Sequence, residues 1–100
     1  MEKRKPHYPL ATVKAFAREH RVRMTKTAVE GGAAMGFSAP EMVDVVATLT
    51  GRHLYKSMTS HADHKVWHDV YHVDTAKGVV YLKLTVVDDL LIVSFKEKDE

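Results

Sequence analysis

Near residue 51 the spacing of apolar residues changes from that of a helix to that of a strand, and this limits the architecture more than any other feature. A helix turns side chains to one face at every third or fourth position, a strand at every second. The two halves of the chain therefore call for different elements. In the first half, Leu10, Val13, Phe16 and Ala17 line one helical face, with Pro9 or Thr12 near its start. Thr25 is placed to cap a second, short helix running to Met35. Gly31 and Gly32 weaken the end of that helix, and Gly36 stops it. Ser38, Ala39, Pro40 and Glu41 read as a capping box for a third helix. The serine oxygen accepts an early backbone N–H, and the glutamate reaches back to the serine N–H. Met42, Val45, Val46 and Leu49 form its apolar stripe, and Gly51 is expected to supply the left-handed residue at its end.

After residue 53 the alternation predicts strands over residues 54–60, 66–73, 79–87 and 90–96, joined by the polar segments SHADHK, DTAKG and Asp88-Asp89. About three helices followed by four closely linked strands imply an α+β fold, an antiparallel sheet with helices on one face. The 100 residues suit a single domain spanning 1–100, and the KEKDE tail is expected to fray.

The last hairpin can be read residue by residue. If Asp88-Asp89 is a two-residue turn, Leu82 faces Phe95, Leu84 faces Val93 and Val86 faces Leu91, all on the core side. The other side then pairs Tyr81 with Lys96, Lys83 with Ser94 and Thr85 with Ile92. A slip of one residue would bury Lys83, so this register is well determined. It sets a phenol beside an ammonium on a solvated sheet face. Such a pair is either an ordinary surface contact or part of an anion site.

The chain has no cysteine, which excludes disulfides, thiolate metal sites and cysteine nucleophiles. Its net charge of +2 conceals an imbalance: residues 1–26 carry a net +6 and residues 27–100 a net −4. The basic front points to an anionic partner, nucleic acid before membrane. Apolar runs such as 90–93 are far too short to span a bilayer, and no secretory signal follows the polar MEKRKPH, so a cytoplasmic protein is expected.

His61, His64, His68 and His72 recur at spacings that would share a helical face and could bind zinc. Their segment reads as strand instead, where His68 and His72 stand about 13 Å apart, too far to share an ion. Trp67, Tyr71 and Tyr81 can be core aromatics or platforms on which bases stack.

The opening MEKRKPH, YKSMT over 55–59, DHKVWHDVY over 63–71, VYLKLTV over 80–86 and LLIVSFKEK over 90–98 together resemble the motility quorum-sensing regulator (MqsR) toxin family. The resemblance covers essentially the whole chain and is looser over residues 11–50. It implies a RelE-like fold and a type II toxin, a ribonuclease that cuts mRNA without the ribosome at GC-containing sites, typically GCU. It implies no cofactor or metal. The implied partners are mRNA and a cognate antitoxin with a zinc-binding N-terminal domain and a helix-turn-helix C-terminal domain. The family's catalytic positions fall on Lys56, Tyr81 and Lys96, and a fourth on residue 68. There the family usually has glutamine in WQDVY and this chain has His68. Tyr55, Tyr71, Lys83 and Arg23 are the candidate RNA contacts. By alternation Lys56 points to the Tyr81–Lys96 face and Tyr55 away from it. The DTAKG loop allows two registers. With Val73 opposite Val79, His68 turns to the core; a slip of one residue puts it opposite Lys83 on the active side. The rival expectation is a non-enzymatic, basic RNA- or DNA-binding regulator, which needs the same lysines and aromatics.

Overall fold

The computed structural model describes residues 1–99. It holds three helices, α1 (Leu10–Arg18), α2 (Lys26–Ala34) and α3 (Ala39–Ala47). Two short strands lie among them, β1 (Glu2–Lys3) and β2 (Val22–Met24), and four longer ones follow: β3 (Leu54–Thr59), β4 (Trp67–Thr75), β5 (Gly78–Val87) and β6 (Asp89–Glu97). The helix starts are those the sequence marks. Thr25 Oγ1 accepts the Ala28 N–H at 3.0 Å. Ser38 Oγ accepts the Glu41 N–H at 3.3 Å, and Glu41 Oε1 accepts the Ser38 N–H at 2.8 Å, a complete capping box. Gly51 does not take the left-handed cap. Helix α3 closes on Thr48 in helical conformation, and Gly51 opens a single 3-10 turn, Gly51–His53.

The six strands form one sheet in the order β1-β3-β4-β5-β6-β2. Every pair is antiparallel except β2 with β6. Strands β1 and β2, too short for alternation to announce, are its edges. The helices cover one face. Val13, Ala28, Met42 and Val46 pack there against Tyr71, Leu82, Leu84, Leu90, Ile92 and Phe95 in an α+β core. Burying each of the larger side chains contributes about 1.5–3 kcal/mol. The other face carries no helix.

Gly31 explains how α2 lies so close to β6. A Cβ at Gly31 would fall inside the van der Waals shell of the Phe95 carbonyl oxygen. The glycine that weakens the helix in isolation is what lets it dock. Gly31→Ala is expected to destabilise the fold by about 1–3 kcal/mol, since the obstacle is backbone and cannot rotate away. Denaturant unfolding checks it.

The β5–β6 hairpin begins in the expected register, with Tyr81 beside Lys96, Leu82 beside Phe95 and Lys83 beside Ser94. It then departs. Val93 is an extra residue on β6, so Leu84 meets Ile92, Thr85 meets Leu91 and Val86 meets Leu90. Asp88 alone makes the turn, with φ 66°. The bulge turns Leu90 and Ile92 into the core in place of Leu91 and Val93. Thr85, expected in solvent, is buried: its hydroxyl donates to the Trp67 carbonyl at 2.7 Å and meets the Tyr8 hydroxyl at 3.1 Å. The tail is ordered further than expected, with β6 reaching Glu97 and the Lys98 N–H donating to the Val79 carbonyl at 2.8 Å.

Candidate functional site

Alternation along β4 and β5 decides which side chains reach the uncovered face. Asp69, Tyr71 and Val73 pair with Leu84, Leu82 and Val80 on the helical side, so His68, Val70 and His72 turn the other way, as do Tyr81 and Lys83. Lys56 of β3 flanks Val70 on one side and Lys83 flanks it on the other. Lys96 lies beside Tyr81, its Nζ 5.2 Å from the ring centre. Lys56, His68, Tyr81, Lys83 and Lys96 thus share one face. Of the two registers open for His68 the observed one matches neither in detail. Val73 opposes Val80, which puts His68 on the open face across from Met58, with Val70 in the place beside Lys83.

A bulge between Leu54 and Lys56 changes the expectation for Tyr55. The extra residue is Tyr55 itself, and instead of turning away from Lys56 it joins the same cluster. Tyr55 is 43% exposed, and its ring stacks on His72, with centres 4.5 Å apart and planes 18° from parallel. His72 in turn lies 5.9 Å from the Tyr81 ring. Tyr55, His72, Tyr81, Lys96 and Lys98, together with the acidic Glu97 and Asp99, line an open cleft of about 460 Å³.

The electrostatics follow from half-burial under many cations. Burial and then the neighbouring Lys83 ammonium hold His68 below its ordinary value, so it is a free base at neutral pH. Burial raises the Tyr81 phenol, and this outweighs the lowering by Lys56. Tyr81 therefore keeps its proton. Burial and then Lys96 lower Lys83. Lys56 is raised, because its Nζ donates to Glu2 Oε2 at 3.0 Å.

Tyr71 does not reach this face. It is wholly buried in the core, against its expectation as an RNA contact, because its odd-numbered place on β4 turns it to the helices. Arg23 is exposed on edge strand β2 beside Leu91, at the other end of β6 from Lys96. Trp67 is half-buried rather than core: His7 stacks on it at 4.9 Å and Lys3 Nζ lies 4.4 Å from its ring centre. His61 and His64 are exposed in the β3–β4 loop, and among the described residues no three acidic or histidine side chains converge to hold a metal ion. No helix among them is long and apolar enough to cross a membrane.

Two features were not foreseen from the sequence. Asp69, buried, accepts the His7 and Tyr8 backbone N–H groups at 3.0 Å each, and the Ser57 hydroxyl lies 2.5 Å from it. It ties the N-terminal arm to β3 and β4. The signal was there: an acidic residue in the middle of an apolar strand needs partners. The second is Glu2, which the arm carries to Lys56. A two-residue strand leaves no periodicity by which to see it.

Residues 5–97 match the family described as motility quorum-sensing regulator, toxin of MqsA. The chain is also 45% identical, over 98% of its length and all of the relative's, to a protein of Escherichia coli (strain K12) named mRNA interferase toxin MqsR. A match that spans nearly the whole chain leaves one conclusion: the chain belongs to the motility quorum-sensing regulator toxin family.

Proposed function

We propose that this protein is a toxin of a type II toxin–antitoxin system, an endoribonuclease that cuts mRNA without the ribosome at GC-containing, GCU-like sites and so arrests translation and growth. The observation that carries the reading is the open face, which carries the lysines Lys56, Lys83 and Lys96, a phenol that keeps its proton, Tyr81, and an imidazole that has lost its own, His68. The name of the Escherichia coli relative supports mRNA as the substrate.

In this reading the RNA supplies the nucleophile. His68 takes the proton of a 2′-hydroxyl, whose oxygen attacks the adjacent phosphorus. Lys56 and Lys96 stabilise the charge that develops on the phosphate oxygens. The bond to the 5′-oxygen breaks as Tyr81 gives that oxygen its proton. The products are a 2′,3′-cyclic phosphate and a 5′-hydroxyl, and His68 and Tyr81 regain their starting protonation states by exchange with water between turnovers. No metal is needed for any of these steps. The protein works in the cytoplasm and is held inactive by a cognate antitoxin with a zinc-binding N-terminal domain and a helix-turn-helix C-terminal domain.

The test is cleavage of ribosome-free mRNA by the purified protein in EDTA, with analysis of the ends and a pH–rate profile. A base held below its usual value of about 6.5 is fully active at neutral pH, so the rate falls only as pH drops through that lowered value. Tyr81, raised above about 10, imposes no loss until strongly alkaline pH. His68→Gln should remove the acid limb and slow cleavage at neutral pH by about 10²–10³. An unchanged profile and rate would take His68 out of proton transfer. Binding of RNA without products, by the wild-type protein, would favour the non-enzymatic regulator instead.

A further inference from the structure

The cleft beside Tyr81 holds groups that the cleavage chemistry does not use, namely the stacked rings of Tyr55 and His72, and Lys98 between the acidic Glu97 and Asp99. We propose that the Tyr55–His72 pair is the platform for one nucleobase of the RNA, and that Lys98 holds a phosphate of the same nucleotide. This rests on the reading of the open face as an RNA site.

Three observations carry it. The β3 bulge spends a ladder position to put an aromatic ring on the surface, and that ring remains exposed although it is stacked. A flat, half-exposed stack is the surface that a base extends, whatever its identity. His72 suits the platform as a neutral ring, since burial and the nearby Lys98 ammonium both disfavour its cation. Lys98 is fixed by its backbone bond to Val79, and its ammonium is close enough to His72 to act on that ring. It follows Lys96 by two positions, one residue past the end of β6, so on an extended chain the two backbone positions stand about 7 Å apart. Successive phosphates of an extended single strand have a similar separation. With the scissile phosphate at Lys96, the next phosphate reaches Lys98, and the base between them lies over the rings. A cleft of about 460 Å³ has room for one nucleotide.

Binding of a short RNA in which every 2′-hydroxyl is methylated tests this without any cleavage, by fluorescence anisotropy on the full chain. Tyr55→Ala should weaken binding about tenfold, and Tyr55→Phe should not. Abasic substitution at one position next to the cleavage site should cost the wild type the same factor and cost Tyr55→Ala nothing more. Lys98→Ala should lower the slope of log affinity against log salt by about 0.7, the share of one phosphate contact on a single strand. The proposal is overturned if the Tyr55→Ala loss is the same whichever base is removed, if the Lys98→Ala slope equals that of the wild type, or if the wild type does not bind this RNA. Cleavage of ordinary RNA by the wild type judges the nuclease reading separately.

Discussion

Alanine at Lys56 or at Lys96 is expected to slow RNA cleavage by about 10²–10³ with little change in folding stability. The two effects separate because of where these lysines sit. Each is on the open face and neither contributes to the apolar core. Lys56 makes a solvent-facing ion pair with Glu2, and pairs of that kind hold a fold together only weakly. In the transition state the same charges have a different value. A phosphate passing through a pentacovalent form gains charge on its oxygens, and a pre-placed ammonium stabilises that charge without reorganising. The loss should therefore appear in kcat, with the unfolding midpoint unmoved. Cleavage at the wild-type rate by Lys96→Ala would remove it from the site. For Lys56 the ion pair adds a refinement: Glu2 keeps the ammonium protonated and competes with phosphate for it, so substrate must displace the carboxylate.

Asp69→Ala should lower stability by about 3 kcal/mol, measured by denaturant unfolding, because it removes a charged acceptor from three groups at once. The backbone N–H groups of His7 and Tyr8 would be left without their acceptor where water does not readily replace it, while the Ser57 hydroxyl keeps the Lys5 carbonyl at 2.8 Å. The consequence reaches the site. The arm that Asp69 anchors carries Lys3 and His7 onto Trp67 and Glu2 onto Lys56. Release of the arm should therefore change cleavage even at temperatures where the variant is folded. A variant as stable as the wild type would show that the arm is held by its other contacts alone.

Much of this arrangement was legible from side-chain period. Tyr81 beside Lys96 followed from the apolar pairing of Leu82 with Phe95, since a strand that buries one residue must expose the next. The same rule failed beyond Ser94. A bulge adds one residue and reverses the faces, and nothing in the run of Leu90, Leu91, Ile92 and Val93 marks where it falls, because all four are apolar. Tyr55 was misplaced for the same reason. Tyr71 could not be assigned from type alone, as a tyrosine serves a core or a surface equally well. His68 depended on a loop long enough for two registers, and the pairing of Val73 with Val80 was set by the fit of β4 against the core.

The sequence by itself determined the order of the three helices and the four longer strands, the helix starts and the identity of the charged groups on the last hairpin, since these depend on neighbours a few residues away. It also carried the family, through blocks spread along the whole chain. Only the tertiary structure decided that Asp69 would gather the N-terminal arm, that Glu2 would meet Lys56, and that Tyr55 and His72 would stack across two strands. These contacts join residues up to 62 positions apart. No local period encodes them, because they exist only after the core has chosen the register of each strand.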